Sequence, residues 1–488
     1  MLRSAVARAS FYSKCHAVSA TSAVRTFSLT APALAVAPPP KKQSKVTRKK
    51  EVKEKVKKGG MTHLKFSEAV RSLKFEKLAM DVTRQNLAEL SAHTLAQSNS
   101  AVVTYNLHTE KTLRELGSFK KNQHHELFSN PVSMVTDNTN RIHAEFIENI
   151  DGPSSNNRVC LLGEKGSGKS TLVSQVQALI LSKYKQNAVL LHVDQAERMV
   201  DGSSDYFFNP TLGKFHQPMF TKRWVNKLRK SNETVFKNMP LTEDVSFISK
   251  KETRELKKGT HTLYDFITHN SEFGFYGPSN AFQFLLKQLQ AHSKEIPVVV
   301  SIDNFNSVIR KPHTEYFHQD MTPITLGEFE FGHFVSQLVS GEFSFAKGGL
   351  LLAESKDAGE CKTLRVGLGL EVPNPYDEPQ QCYMDFAEQM TLNGGVKAFD
   401  VANMTKAQAR EFLAFLDKVG VLQIREYPTK ETYKSLEESA PSPGNTINVG
   451  EYVKCEDKAD QFERILQSSF FASAGNPGRF LKINNLTF

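Results

Sequence analysis

The chain has 488 residues, 39% hydrophobic and 23% charged, enough for a large α/β core and ordinary for a globular protein. No apolar run approaches the roughly 20 residues of a membrane-crossing helix, so no membrane span is expected, and the five cysteines (Cys15, Cys160, Cys361, Cys382, Cys455) lack disulfide or zinc spacing. The net charge of +10 is concentrated: residues 1–58 hold 14 Lys/Arg and two acids, leaving 48 bases and 50 acids elsewhere, too neutral a body for a nucleic-acid-reading groove.

The first 50 residues contain no Asp or Glu, and Arg3, Arg8, Lys14 and Arg25 are spaced among Ser, Ala, Thr and Val. Without the continuous apolar stretch of a secretory signal, that pattern predicts a mitochondrial transit peptide over 1–34 and a matrix location. Arg25-Thr26-Phe27-Ser28 resembles a processing site. Residues 35–60 follow as a basic linker rich in Pro and Lys, too poor in apolar groups to offset ordering entropy. This linker is either a solvated tether or an arm that a phosphate-rich partner holds by counterion release. Residues 61–130 are expected to be a helical extension, with Phe66, Val70, Leu73, Leu78, Val82, Leu87 and Leu90 at near-helical spacing, and 130–150 a further helix. His124, His125, His313 and His318 read as surface histidines rather than metal ligands.

Residues 131–380 read as an α/β domain. Apolar strands over 158–163, 189–193, 298–302 and 350–353 alternate with amphipathic helices over 170–184 and 282–292, which predicts a parallel sheet flanked by helices. The polar stretch 210–274 is expected to be a helical insertion. Residues 381–488 are expected to be a smaller, mainly helical region. Its clearest element starts at Thr405 as N-cap and stops at Gly420.

The chemistry gathers at Gly163-Glu164-Lys165-Gly166-Ser167-Gly168-Lys169-Ser170, a G-x-x-x-x-G-K-[ST] phosphate loop followed by Thr171. The glycines let successive backbone N–H groups face one concavity, with a helix N-terminus behind them. Lys169 is expected to reach the β/γ-phosphates and the Ser170 hydroxyl to ligate Mg²⁺. Asp303, ending the apolar run from Val298, is the candidate second Mg²⁺ holder, or else caps its own turn. Ser355, after the next strand, stands where a polar γ-phosphate sensor could sit. No Asn-Lys-x-Asp segment selects guanine, so the residues themselves leave GTP, GDP and ATP open.

The run Leu161–Ser170 resembles the phosphate loop of the death-associated protein 3 family. So do Phe215-His216-Gln217-Pro218 with Trp224, Asn232 and Glu233, the turn Asp303-Asn304-Phe305-Asn306, Gly348-Gly349, and Ala474-Gly475-Asn476-Pro477. The resemblance runs in patches from about residue 110 to the end. It implies a P-loop NTPase core of AAA-like type that holds GTP or GDP with Mg²⁺ in the small subunit of the mitochondrial ribosome. The implied partners are small-subunit proteins and rRNA, and not further copies of this chain. Little or no turnover is expected, because Asn304 follows Asp303 where a working AAA ATPase carries Glu. An active ATPase and a small-molecule kinase remain as alternatives. For the kinase, Lys222, Arg223, Lys227, Arg229 and Lys230 could imitate a lid, although Trp224, Val225 and Leu228 interleave them as one helix face.

Overall fold

A computed structural model describes residues 86–97, 101–120, 123–249, 252–270, 280–378, 380–422 and 458–484. All of them belong to the unit Leu64–Phe488. The expected transit peptide, the basic linker and nearly all of the helix expected over 64–90 lie outside the described residues.

Five strands form the central sheet: β1 (Arg158–Leu162), β2 (Val189–Val193), β3 (Val298–Ile302), β4 (Gly348–Ala353) and β5 (Lys397–Asp400). They are all parallel, in the order β5-β1-β4-β3-β2. Strands β1 to β4 are buried along their whole length, which is why they read as continuous apolar runs rather than alternating ones. The expected α/β fold, a parallel sheet flanked by helices, is the fold observed. The strand carrying the phosphate loop and the strand leading into Asp303 are separated by β4 alone.

Close approach explains one sequence oddity. A Cβ on Gly348 would lie 1.9 Å from the Val298 carbonyl oxygen, so only glycine lets β4 start against β3. Arg158 opens β1 and is 1% exposed. Its guanidinium donates to the carbonyls of Ser155, Val339, Leu392 and Asn393, so a charge buried in the sheet is satisfied by backbone.

The helices that matter for the site are α1 (Leu107–Leu116), α2 (Asp137–Ile142), α3 (Lys169–Lys183), α4 (Pro218–Ser231), α5 (Asn280–His292), α6 (Glu330–Ser340), α7 (Met384–Thr391), α8 (Lys406–Val419), α9 (Lys458–Ser473) and α10 (Pro477–Asn484). Helix α3 is buried on nearly every face. Its polar residues are therefore bonded inward: Gln177 to Ser301 and Ser118, Gln175 to Ser133, Met134 and Thr139. Helices α8, α9 and α10 build a second core around Leu413, Leu416, Leu466 and Phe480, joined by Leu127, Phe128 and Val132. Thr405 caps α8 through a capping box, and Gly420 ends it in the left-handed region, as expected.

Side chains bond backbone groups at both outer edges of the sheet. On β2, Asn232 donates to the Leu190 carbonyl and accepts from the Leu190 N–H, while the Trp224 indole donates to the His192 carbonyl. Beside β5, Arg141 donates to the Asp400 carbonyl, and Asn138 exchanges two hydrogen bonds with Ala402. An edge treated in this way offers few free backbone groups to another chain.

Three expectations need correcting. The stretch 130–150 is not one helix. Val132–Met134 pairs antiparallel with Val102–Thr104, and α2 starts only after Thr136, whose capping box nucleates it. The stretch 210–274 is not all helical, since it holds a hairpin of Val245–Ser249 with Glu252–Leu256, and the preceding hairpin of Phe207–Asn209 with Lys214–His216 reaches into it. Finally, β5 comes from beyond residue 380, so the sheet extends into the region expected to be mainly helical. No helix among the described residues is long and apolar enough to cross a membrane.

Candidate nucleotide site

The phosphate loop leaves β1 and enters α3 at Lys169, as its spacing requires. Gly163, Gly166 and Gly168 have φ of +148°, +87° and +97°, the positive region that the loop's curl demands. The first-turn N–H groups of α3 have no intrahelical partners and carry the positive end of its dipole. Lys169 Nζ donates to the carbonyls of Gly163 (2.8 Å) and Glu164 (2.7 Å). Burial pulls the Lys169 pKa down, and the Glu354 carboxylate opposes that shift. Ser167 Oγ is buried and has no hydrogen-bond partner among the described residues.

A cavity of about 560 Å³ opens over this loop. Its charged lining comprises Lys120, Lys165, Lys169, Lys356, Arg479 and Lys482 against Asp303, Glu354 and Asp357. That balance favours an anion. The lining also has an apolar part, with Val102, Phe128, Met134, Met404, Phe412 and Leu481 from one hydrophobic cluster. His125 lines the cavity as well. Burial, with Arg114 and His124 nearby, pushes its pKa down to about 4, so it adds no charge near neutrality.

The structure brings Gly166, Ser167, Gly168, Lys169, Ser170, Thr171, Asp303 and Ser355 to this one cavity. Lys165 reaches across it to pair with Asp357. Glu164 instead faces Arg479, 3.9 Å away. Asp303, 3% exposed, directly follows β3 and lines the cavity. Its Oδ2 lies 2.5 Å from Lys120 Nζ, and its Oδ1 accepts the Asn304 N–H at 2.9 Å. Among the described residues, no group of three or more His, Cys, Asp or Glu could hold a metal ion. Asn304 adopts φ +59°, with its carboxamide donating to Glu197 and its Oδ1 accepting from Lys120. Ser355 caps the turn after β4 by accepting from the Asp357 N–H. Glu354, buried beside Lys169, pairs with Lys356 at 3.0 Å.

Sequence reasoning missed the contribution of the C-terminus. Asn476, fully buried, donates to the Lys165 carbonyl at 3.0 Å and accepts from the Arg479 N–H, capping α10. The Gly478 N–H donates to the Gly166 carbonyl at 2.9 Å. A Cβ on Gly478 would meet Gly166 Cα at 2.9 Å and its carbonyl oxygen at 3.0 Å. The start of α10 is therefore seated on the phosphate loop. Lys120 was missed as well, because nothing in its local sequence points to Asp303.

A family model described as mitochondrial ribosomal death-associated protein 3 matches residues 133–450, well over half of the chain. The chain belongs to this family. The expected localisation, the mitochondrial ribosome, stands on that membership. The chain is 23% identical over 246 residues to the small ribosomal subunit protein mS29 of Schizosaccharomyces pombe (strain 972 / ATCC 24843). That match covers 50% of this chain and 50% of the relative, so the chain spans about half the length of the curated protein it matches. A crystal structure titled Cdc6p from Pyrobaculum aerophilum aligns at TM-score 0.23 and 12% identity over 65% of this chain and 55% of that one. That likeness is too low to carry an argument, and the fold rests on the strand order above.

In this death-associated protein 3 family member, the residues that carried the resemblance have structural work as well. His216 forms a buried pair with Glu330 at 2.6 Å, Gln217 donates to the Met199 carbonyl, and Pro218 opens α4. Asn306 exchanges hydrogen bonds with the backbone of Ser355, tying the turn after β3 to the end of β4. No residue of α4 lines the cavity, so its Lys/Arg run does not form a lid over it.

Proposed function

We propose that the chain is a structural, nucleotide-holding component of the small subunit of the mitochondrial ribosome, binding GTP or GDP, with ATP also admissible. Family membership supports the ribosomal part of this reading. The observation that carries the nucleotide part is the glycine loop and α3 N-terminus opening onto a cavity with six cations against three carboxylates. The loop from Gly163 to Thr171 would cradle the phosphates, Lys169 would turn from its loop carbonyls toward them, and Ser167 would gain a partner. Magnesium carried in with the nucleotide would supply charge neutralisation, and Ser170 and Asp303 are the groups that would meet it. The apolar part of the lining suits a purine ring.

The test is sedimentation of the endogenous protein followed by extraction and identification of any bound nucleotide. Co-sedimentation with the small subunit and recovery of a guanine nucleotide are expected. A chain confined to the soluble pool would overturn the ribosomal reading. A second reading, a working ATPase, is favoured by one observation, the buried carboxylate of Glu354 beside Lys169. Its pairing with Lys356 weighs against that role, because the ion pair engages the carboxylate that would have to meet the attacking water.

A further inference from the structure

Asp303 is the carboxylate expected to organise a divalent cation, and it already has a cation. Lys120 Nζ is 2.5 Å from Asp303 Oδ2 and also donates to Asn304 Oδ1 at 3.4 Å, from a position 184 residues earlier in the chain. The second oxygen of Asp303 is taken by the Asn304 N–H. The pair is enclosed, with side chains 21% and 4% exposed, and both residues line the cavity over the phosphate loop. Asp303 also lies close enough to Lys169 to act on its charge. One buried carboxylate thus acts on both the phosphate-loop lysine and a second lysine.

We propose that Lys120 is a nucleotide-binding cation of this chain, a tethered ammonium that shares Asp303 with a divalent ion and makes nucleotide binding only weakly dependent on Mg²⁺. The inference rests on the nucleotide-holding reading and adds to it the residue that sets metal dependence. A buried carboxylate without a counterion would repel a phosphate chain in the same cavity. The Lys120 ammonium removes that repulsion before any metal arrives. An ammonium has three donors on a flexible stem, so it can keep one hydrogen bond to Asp303 and offer another to phosphate oxygens. Mg²⁺ brought with the nucleotide would supply the same neutralisation at Asp303, so the two cations are partly redundant.

The experiment measures binding of fluorescent mant-GDP and mant-ADP to the full chain, in Mg²⁺ and in EDTA, for wild type, Lys120→Met and Lys120→Arg. Melting without nucleotide confirms that each variant is folded. For wild type, chelation should weaken binding by less than about tenfold, whereas Lys120→Met in EDTA should bind roughly tenfold or more weakly than wild type, since an unscreened charge pair is worth over a kcal/mol. Magnesium should return Lys120→Met to near the wild-type value, and Lys120→Arg should follow wild type in both buffers. Wild-type binding in Mg²⁺ that vanishes in EDTA overturns the inference but leaves the nucleotide-holding reading standing. Equal losses for Lys120→Met in both buffers overturn it too, because a merely structural lysine would behave that way. Failure of wild type to bind either probe in either buffer overturns both.

Discussion

Lys169 turns its ammonium onto two carbonyls of its own loop, which keeps a largely buried cation satisfied. A ligand that binds only the native state at 100 times its dissociation constant adds about 2.7 kcal/mol. Lys169→Ala should lose most of that term while folding normally without ligand. The check is melting of wild type and variant in saturating Mg-GDP, and equal melting temperatures would show that the nucleotide does not stabilise the fold through this lysine. His192 supplies a pH prediction. It is fully buried with Nδ1 against Ser301 Oγ, and burial pushes its pKa down to about 4 although Asp303 and Asp194 pull the other way. The folded state thus keeps His192 neutral where the unfolded chain, with a pKa near 6.5, takes up a proton. Its contribution is complete above about pH 6.5 and is lost as the pH falls toward about 4, at up to roughly 1.4 kcal/mol per unit. Urea unfolding at about pH 7 and about pH 5 should show wild type losing more stability than His192→Gln. Equal losses would place the acid sensitivity elsewhere.

At the level of elements, the phosphate loop is held from both ends of the chain's fold. Strand β1 and helix α3 set its curl, and the start of α10 covers its outer side through Asn476 and Gly478. A Gly478→Val side chain has no room against Gly166 and should cost about 1–3 kcal/mol by overpacking. Asn476→Ala removes the α10 cap and the bond to Lys165, a loss of about 1–2 kcal/mol. Both variants should weaken mant-GDP binding as well as lower the melting temperature. Lowered stability with unchanged affinity would mean that the C-terminal helix supports the body and not the loop. The asparagines show why such roles escape a linear reading. Asn232, Asn306 and Asn476 look like ordinary loop or cap residues in sequence, yet each hydrogen-bonds backbone of a distant element. A carboxamide offers both donor and acceptor, so it can stand in for a peptide group wherever the fold leaves one unpaired.

For the whole molecule, the proposed role is to hold a nucleotide rather than to cleave one. Hydrolysis needs an attacking water oriented and deprotonated near the γ-phosphate. Asn304, next to Asp303, is engaged with Glu197 and Lys120, and a carboxamide accepts no proton. Single-turnover hydrolysis of GTP and ATP should therefore run far below the roughly 1 per second typical of slow enzymes, and Asn304→Glu should raise it. A wild-type rate in the ordinary enzyme range would favour the ATPase reading. Much of this architecture was legible beforehand. The buried strands announce themselves as apolar runs, the phosphate loop by glycine spacing, and the ends of α8 by Thr405 and Gly420, because periodicity and backbone preference act over a few residues. The short Lys397–Asp400 strand was not legible, since four residues with one buried position carry no period. Nor were the pairing of Lys120 with Asp303 and the seating of Asn476 on Lys165, which join residues 183 and 311 positions apart. Those contacts depend on how the sheet is ordered and where the last helix packs, and only burial of the assembled cores decides that.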